Sequence, residues 1–351
     1  MPDEAEAEQD TKLDPTTLEW HLEPSWATEG QTFYIHTNSG AFGIIQVVYS
    51  TMSMSPSVQL SAVYHKGDGT SKRSTFSHNG TDFIMSEDRR STTCQQASIK
   101  FNEKDLSYKV KYDAGPDLVF DISFVPVDGG FQMADSGTSF SSADDAGYVS
   151  TRFIPKGTVK GTVTIDGSTV SCDGAGLMVH AVQMNPHHVA RWNFGDLQAG
   201  DDGLMFYQFE LPDGQDFEVN LVATGAIVRK NKTIGITLDG SVTHVQRKMD
   251  DAFGYNIPTK VTVALTGKTT DGKNEDVKID MTLSPGECTD KIDLLSELPW
   301  IIRTFVQTFL SKPIVYQWFQ DAKASITVGK DSFTLEGKMF YEVVLMAELP
   351  K

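Results

Sequence analysis

The sequence is poor in cysteine, with three among 351 residues, namely Cys94, Cys172 and Cys288. Their number is odd, and no two of them show the Cys-x-x-Cys spacing that is typical of zinc sites and redox pairs. This excludes a secreted scaffold held together by disulfides and a cysteine-rich metal module. We therefore expect three unpaired thiols.

Long apolar runs are also absent, because no stretch of about 18 apolar residues occurs anywhere in the chain. Residues 1–10 are acidic and have no apolar core, so they do not resemble a secretory signal. We therefore expect a cytoplasmic protein that has no membrane-spanning helix, and we expect residues 1–10 to contribute little to folding.

Positive charge is scarce: 30 Lys and Arg residues face 47 Asp and Glu residues, which gives a formal net charge of −17. Because contacts from Lys and Arg to phosphate dominate nucleic-acid affinity, we expect no nucleic-acid partner. The same charge opposes binding to an anionic bilayer. Any membrane contact must therefore come from apolar surface or from a locally basic patch.

Complete catalytic and cofactor motifs are missing too. No Gly-x-Ser-x-Gly, His-Glu-x-x-His or phosphate-loop motif occurs, and the Gly-Lys-Thr at 267–269 lacks the upstream glycine. The histidines His180, His187, His188 and His244 could ligate a metal or supply a general base, but no carboxylate or thiolate stands at ligand spacing beside them. We favour a structural role for them and expect no cofactor and no metal.

What the sequence does contain is the pattern of β-strands. Apolar and polar residues alternate over 106–112 and over 118–124, so each segment has one apolar face. Residues 31–37 and 41–51 are joined by Asn-Ser-Gly, which predicts a hairpin, and Asp-Gly pairs recur along the chain at positions that favour tight turns. The sequence therefore predicts an all-β fold with antiparallel strands.

The chain is long enough for two domains, because a single hydrophobic core rarely grows beyond roughly 250–300 residues. A new series of strands begins near Gly174. We predict an acidic flexible leader at 1–19, an N-terminal domain at 20–172 and a C-terminal domain at 173–351.

Two segments depart from this strand pattern. Residues 134–147 are rich in Ser, Asp, Gly and Thr, which predicts a long surface loop. Apolar residues fall at helical spacing over 299–310, between Pro299 and Pro313, which predicts a short helix in the second domain. This helix is either a lid or membrane-touching element or an ordinary cover over the open end of a barrel, and we favour the cover.

Three stretches of the sequence resemble the fungal survival-factor family, whose members bind ceramide and are linked to survival of oxidative stress. The first comprises residues 31–34 and 46–50, the second residues 176–184, 186–188 and 190–194 to Gln198, and the third residues 293–299, 312–313 and 316–318. Together they span most of the chain from Gln31 onwards.

The resemblance implies two tandem lipocalin-like antiparallel β-barrels. It also implies a protein that is not an enzyme but binds ceramide or a related sphingolipid. Such a protein would carry the lipid by a non-vesicular route between the endoplasmic reticulum and the Golgi, in support of oxidative-stress survival. Its expected location is the cytoplasm, with transient contact at the surfaces of both membranes, and the nucleus is a further location.

We predict the ligand site in the stretch from His180 to Phe194, where aromatic and polar side chains occur together and the resemblance is most specific. A ceramide needs apolar walls for its chains and hydrogen-bond partners for its amide and hydroxyl groups, which are costly to bury unpaired. The predicted polar contacts are His180, Gln183 and Asn193, and the predicted apolar contacts are Met184, Trp192 and Phe194. Residues 191–194 serve equally well as a pocket rim or as an inter-domain seal.

Two other functions fit the same sequence. Related lipocalin-like folds include hydratases and pericyclases, so an enzyme that acts on an apolar natural product is the alternative, since such catalysis can rest on shape and a few hydrogen bonds. A third possibility is an interaction scaffold in which side chains fill both interiors.

Overall fold

The computed structural model of the chain describes residues 13–23, 26–52, 55–142, 145–184, 190–211, 221–294 and 313–346. The regular structure in these ranges is almost entirely β-strand, and neighbouring strands run antiparallel. The chain divides into two compact units, residues 1–139 with 147–186 and residues 140–146 with 187–351. The predicted all-β fold of two tandem lipocalin-like units is confirmed.

The first sheet has thirteen strands, preceded by a 3-10 turn at Pro15–Leu18 and interrupted by another at Gly80–Asp82. Its strands are β1 Ala27–Thr37, β2 Phe42–Ser50, β3 Ser57–His65, β4 Ser71–Asn79, β5 Ile84–Met85, β6 Thr92–Cys94, β7 Ala97–Asn102, β8 Ser107–Asp113, β9 Leu118–Pro126, β10 Phe131–Ser142, β11 Asp145–Ile165, β12 Ser168–Ser171 and β13 Gly174–Met184. They pair in the order β4-β3-β2-β1-β13-β11-β9-β8-β7-β6-β5, and β10 and β12 each pair with β11.

The first sheet curls over its inner face without closing. The hydroxyl of Tyr112 in β8 donates a hydrogen bond to the backbone oxygen of Ser74 in β4, over 2.9 Å, although these strands lie far apart in the sheet order. Beside this contact, Lys72 in β4 pairs with Asp117 and Asp166. The sheet is therefore a half-barrel with a concave apolar interior.

The second sheet has nine strands and closes into a barrel. Its strands are β14 Arg191–Ala199, β15 Asp202–Glu210, β16 Leu221–Arg229, β17 Lys232–Met249, β18 Asn256–Thr269, β19 Asp276–Leu283, β20 Asp290–Asp293, β21 Ile314–Val328 and β22 Asp331–Leu345. The order is β19-β18-β17-β16-β15-β14-β22-β21-β20, and β19 also pairs with β21. This last pairing joins eight strands into a ring, with β20 attached outside it.

Strand alternation places the apolar residues of each sheet in its core, as the sequence predicts. In β9, Leu118, Phe120 and Ile122 are buried while Asp121 between them is exposed. Apolar side chains at alternate positions of β19 are buried in the same way in the second unit. In strands such as β9 and β19, every second side chain therefore lines the interior.

A glycine allows close packing where the long strand β11 changes register. The pairing of β11 with β13 shifts between Ile154 and Gly157. The ring of Phe124 lies directly against Gly157, because a Cβ built there would stand 2.5 Å from the ring carbons. Any side chain at Gly157 would displace Phe124 from the first core.

The prediction of a surface loop at residues 134–147 is wrong. The described backbone of this segment, residues 134–142 and 145–147, forms the end of β10 and the start of β11, which pair with each other. Backbone hydrogen bonds hold such a ladder whether or not its side chains are apolar. A Ser- and Gly-rich composition was therefore a poor guide to the conformation of this segment.

The predicted domain boundary after Cys172 also differs from the strand pairing. Strand β13 follows that boundary but lies in the first sheet, where it pairs with β1 over its whole length and with β11 on its other side. The second sheet starts only at Arg191. The Asp-Gly pair at residues 173–174 leads back into the first sheet.

The predicted leader is shorter than residues 1–19, because its last part belongs to the first core. Leu13 before the 3-10 turn and Leu18 at its end are both buried, and Asp14 caps the turn by accepting a hydrogen bond from the Thr16 backbone N–H. Trp20 follows, with none of its surface exposed. The predicted helix at 299–310 lies outside the described residues.

All three cysteines are unpaired in the structure. Burial raises the pKa of the Cys94 and Cys288 thiols to about 11 and that of the Cys172 thiol to about 12. They are therefore thiols rather than thiolates at neutral pH. In the described part of the chain, no helix has the length and apolar character needed to cross a membrane.

The burial of Leu18 gives a test of the corrected N-terminal boundary. Leu18→Ala removes a core side chain and should lower the free energy of unfolding by about 2–5 kcal/mol, measured by urea denaturation. Ile84→Ala is the matched control, because Ile84 is an exposed apolar residue of the same unit and should change stability by less than about 1 kcal/mol. If both substitutions change the free energy of unfolding by less than about 1 kcal/mol, residues 13–19 do not contribute to the core and the leader extends over them as predicted.

Candidate functional site

The first unit carries a group of polar side chains on the inner, otherwise apolar face of its sheet. The register of β11, β13 and β1 sets Arg152, His180 and Gln31 in one row across three neighbouring strands. The next row of the same face consists of Ile154, Met178 and Phe33. Polar groups thus adjoin a wall of apolar side chains.

The carboxylate of Glu29 is the most heavily hydrogen-bonded member of this group. It accepts hydrogen bonds from the backbone N–H groups of His21, at 2.9 Å, and Leu22, at 2.6 Å, and from His180 Nε2, at 2.8 Å. Burial raises the pKa of Glu29, but the hydrogen bonds outweigh burial and leave the pKa below its usual value. Glu29 is therefore an ionised anchor that orients the His180 ring.

Arg152 supplies the balancing positive charge of the group. Its Nη2 lies 3.0 Å from Nε2 of His21, and because a guanidinium only donates, this nitrogen of His21 accepts. Burial lowers the pKa of His21, and Arg152 adds to this effect while Glu29 opposes it. His21 is thus neutral at physiological pH, and the opposite charges of Glu29 and Arg152 cancel.

Among the buried polar atoms of the first unit that have no hydrogen-bond partner in the described residues are four that lie in or beside this group. They are Nε1 of Trp20, Oε1 of Gln31, the hydroxyl of Tyr108 and Nδ1 of His180. All four side chains are at most 1% exposed. Leaving such atoms unpaired is costly, and native proteins rarely do so without a functional reason.

The second unit has its own polar network inside the closed barrel. Arg191 donates from Nη2 to both carboxylate oxygens of Glu210, at 2.6 and 2.7 Å, and from Nη1 to Nδ1 of His244, at 3.2 Å. Gln208 donates to Glu210 and to the backbone oxygen of Val242, and it accepts from the N–H of Val242. The charges of Arg191 and Glu210 are therefore paired with each other inside the barrel.

His244 is a neutral link in this network. Burial, with the charges of Arg191 and Arg247, lowers the pKa of His244 to about 2. Its Nδ1 accepts from Arg191, so Nε2 carries the proton and donates to Oδ1 of Asn193 over 2.7 Å. Tyr341 donates to the same oxygen over 2.9 Å. Within this network, only Nδ2 of Asn193 has no partner among the described residues.

Of the three predicted site residues in the first unit, only His180 is placed in the polar group. Gln183 lies on the same strand at the opposite parity, so it projects from the other face of the sheet and is only partly buried. Met184 ends the strand, and its side chain lies outside the described part of the structure.

The three predicted site residues in the second unit are divided between two faces of β14. Asn193 points into the barrel with Leu197, which belongs to the core. Trp192 and Phe194 have the other parity and project from the outer face, where the ring of Phe194 lies 6.2 Å from that of Phe340. Of these three residues, only Asn193 therefore contributes its side chain to the interior of the barrel.

Sequence reasoning missed Trp20, Glu29, Gln31 and Tyr108. A signal for two of them is present, because Glu29 and Gln31 precede Phe33 at period two and so occupy apolar-face positions of β1. A polar residue in such a position must find a partner inside the protein. Trp20 was missed because it directly follows residues 1–19, which were predicted to be a flexible leader.

The histidines considered as metal ligands are distributed over both units. His180 and His244 belong to different units, and His187 and His188 lie outside the described residues. In the described ranges, no three or more His, Cys, Asp or Glu side chains are grouped so as to hold a metal ion.

A model of the Svf1 family matches residues 2–347 of the chain. The chain is 27% identical to ceramide-binding protein svf-1 of Neurospora crassa, over 99% of this chain and 93% of that protein. It is 25% identical to ceramide-binding protein svf1 of Schizosaccharomyces pombe, over 96% of this chain and 90% of that protein. The similarity therefore covers both units.

Solved structures with low sequence identity share the fold. The structure of CghA with Sch210972 superposes with a TM-score of 0.62 at 12% identity, covering 93% of this chain and 90% of CghA. Kievitone hydratase from Nectria haematococca superposes with a TM-score of 0.54 at 12% identity, covering 97% and 96% of the two chains. At these identities the likeness shows the fold alone.

The depressed pKa of His244 predicts a pH dependence of stability. Between its folded pKa of about 2 and the unfolded value of about 6.5, the unfolded chain binds a proton that the folded chain does not, so stability falls as the pH drops below about 6.5. His244→Gln keeps one donor and one acceptor but cannot titrate. Between about pH 7.5 and about pH 5.5 it should lose less unfolding free energy than the wild type, by about 1.4 kcal/mol. If urea denaturation gives the same pH profile for the wild type and for His244→Gln, then His244 binds a proton as readily in the folded chain as in the unfolded chain, and the prediction is wrong.

Proposed function

Because this chain belongs to the Svf1 family, we propose that it binds ceramide and carries it through the cytoplasm between the membranes of the endoplasmic reticulum and the Golgi. Its curated relatives in several fungi are named ceramide-binding proteins. Contact with either membrane would be transient, and delivery of ceramide would support survival of oxidative stress.

The observation that carries this proposal is the amphiphilic interior of the first unit. Along the inner face of β1 the polar residues Glu29 and Gln31 come first, and Phe33 and Ile35 follow. The Phe33 ring packs 5.4 Å from that of Tyr108. On this face, the polar side chains of Glu29 and Gln31 therefore adjoin the apolar side chains of Phe33 and Ile35.

A ceramide has the same division, with an amide and two hydroxyl groups at one end and two hydrocarbon chains beyond. Each buried CH₂ of the chains contributes about 0.8 kcal/mol to binding in an apolar environment. The amide and hydroxyl groups must be hydrogen-bonded if they enter with the chains. Side chains with unpaired donors and acceptors meet that need.

An enzyme that acts on an apolar natural product is the second candidate function. The observation that favours it is the bond between Glu29 and His180, because a carboxylate that holds one imidazole nitrogen leaves the other available as a general base. Such an enzyme would change the covalent structure of the molecule in its interior, whereas a carrier would release it unaltered.

A transfer assay tests the proposal. The full chain, freed of lipid, should move ceramide from heavy donor vesicles to light acceptor vesicles at a rate proportional to protein concentration, and it should leave phosphatidylcholine behind. Mass spectrometry of the recovered ceramide should show an unchanged mass. Failure to transfer or to retain ceramide on gel filtration would contradict the proposal, and a product of altered mass would support the enzyme.

A further inference from the structure

We propose that the polar end of the lipid binds in the first unit, at Trp20, Gln31, Tyr108 and His180. We further propose that these residues select a lipid whose polar end donates at least two hydrogen bonds and accepts at least one. This inference rests on the proposed function and adds to it the unit, the contacts and the class of lipid.

The two polar groups differ in how far the protein satisfies them. In the second unit, Arg191, Gln208, His244 and Tyr341 all bond to protein groups, and in that network only the amide nitrogen of Asn193 has no partner among the described residues. In and beside the polar group of the first unit, the atoms named above on Trp20, Gln31, Tyr108 and His180 have none. The unmet hydrogen-bonding capacity is therefore concentrated in the first unit.

The four side chains of the first unit adjoin one another in a chain. The ring of Trp20 lies 5.0 Å from that of His180, and His180 is the cross-strand partner of Gln31. Gln31 lies beside the hydroxyl of Tyr108, whose pKa is raised by burial and lowered by this amide. The four side chains therefore form one continuous polar cluster.

The atoms also differ in what they can do. Oε1 of Gln31 only accepts, Nε1 of Trp20 only donates, and the hydroxyl of Tyr108 does either. Nε2 of His180 donates to Glu29, so Nδ1 is an acceptor when the ring is neutral. The site thus offers two acceptors, one donor and one group that adapts.

A ceramide matches this set, because its amide N–H and two hydroxyls donate and its carbonyl accepts. A diacylglycerol of equal chain length donates from one hydroxyl only, so one acceptor of the site stays unpaired. A fatty acid adds a net negative charge to a group in which Glu29 and Arg152 already balance, and an unbalanced buried charge is unfavourable. Ceramide should therefore bind more tightly than either.

Tyr108→Phe tests the inference, because it removes one hydroxyl and keeps the ring. In the lipid-free full chain, affinity for a C16 ceramide should fall roughly five- to tenfold, the effect of one lost hydrogen bond. The melting temperature without lipid should change little, since the hydroxyl contacts the amide of Gln31 but makes no further hydrogen bond among the described residues. Both readings come from one preparation, by isothermal titration and by a thermal scan.

Tyr316→Phe is the matched control. The Tyr316 hydroxyl is also buried, but it donates to Asp250 over 2.9 Å in the second unit. Its loss should lower the melting temperature and leave ceramide affinity unchanged. A structural role for Tyr108 would give the same result as this control.

The outcomes separate the inference from the proposed function. If the wild type binds ceramide but Tyr108→Phe and Gln31→Leu both bind it equally well, the assignment to the first unit is overturned and ceramide binding stands. If the wild type binds the matched diacylglycerol as tightly as ceramide, the proposal that the site selects lipids with at least two hydrogen-bond donors is overturned. If the wild type binds no ceramide, the proposed function itself fails.

Discussion

The ionised carboxylate of Glu29 determines the geometry of the first interior. Its bonds to the N–H groups of His21 and Leu22 hold the segment after the 3-10 turn against the sheet, and its bond to Nε2 fixes the ring of His180. Trp20 directly precedes this segment and packs on that ring. A buried carboxylate is stable only where its hydrogen-bond donors are held around it. The positions of His180 and of Trp20, which packs on the His180 ring, therefore depend on Glu29.

The two units satisfy the same constraint in different ways. Alternation in an antiparallel sheet turns every second side chain toward an interior that excludes water, so each polar group there needs a partner. The closed barrel pairs Arg191 with Glu210 and links His244 to Asn193. The half-barrel satisfies Glu29 fully but leaves Gln31 and Tyr108 with unpaired atoms. This difference supports the proposal that the network of the first unit binds the ligand and that the network of the second unit is structural.

Much of the fold could be predicted from short-range pattern, because alternation is a local property. The apolar face of β9 and the hairpin of β1 and β2 follow directly from it. The pairing of β1 with β13 could not be predicted, because it joins residues far apart in sequence and alternation does not identify the neighbour of a strand. For the same reason the boundary at residues 172–173 was placed one strand too early.

The candidate site was harder to predict than the fold. His180 and Gln183 are three residues apart, so strand parity sends them to opposite faces, although both are polar residues in the most family-specific stretch. Trp20 and Tyr108 enter the site only through tertiary packing, and no motif connects them to β13. Residue type could suggest hydrogen-bonding groups, but only the register shows which of them share an interior.

Photo-crosslinking with a ceramide that carries a diazirine next to its amide tests the central claim most directly. After irradiation of the complex with the full chain, the adducts mapped by peptide mass spectrometry should lie on peptides that contain Trp20, Gln31, Tyr108 or His180. Adducts confined to peptides from residues 191–346 would place the headgroup in the closed barrel and contradict the account.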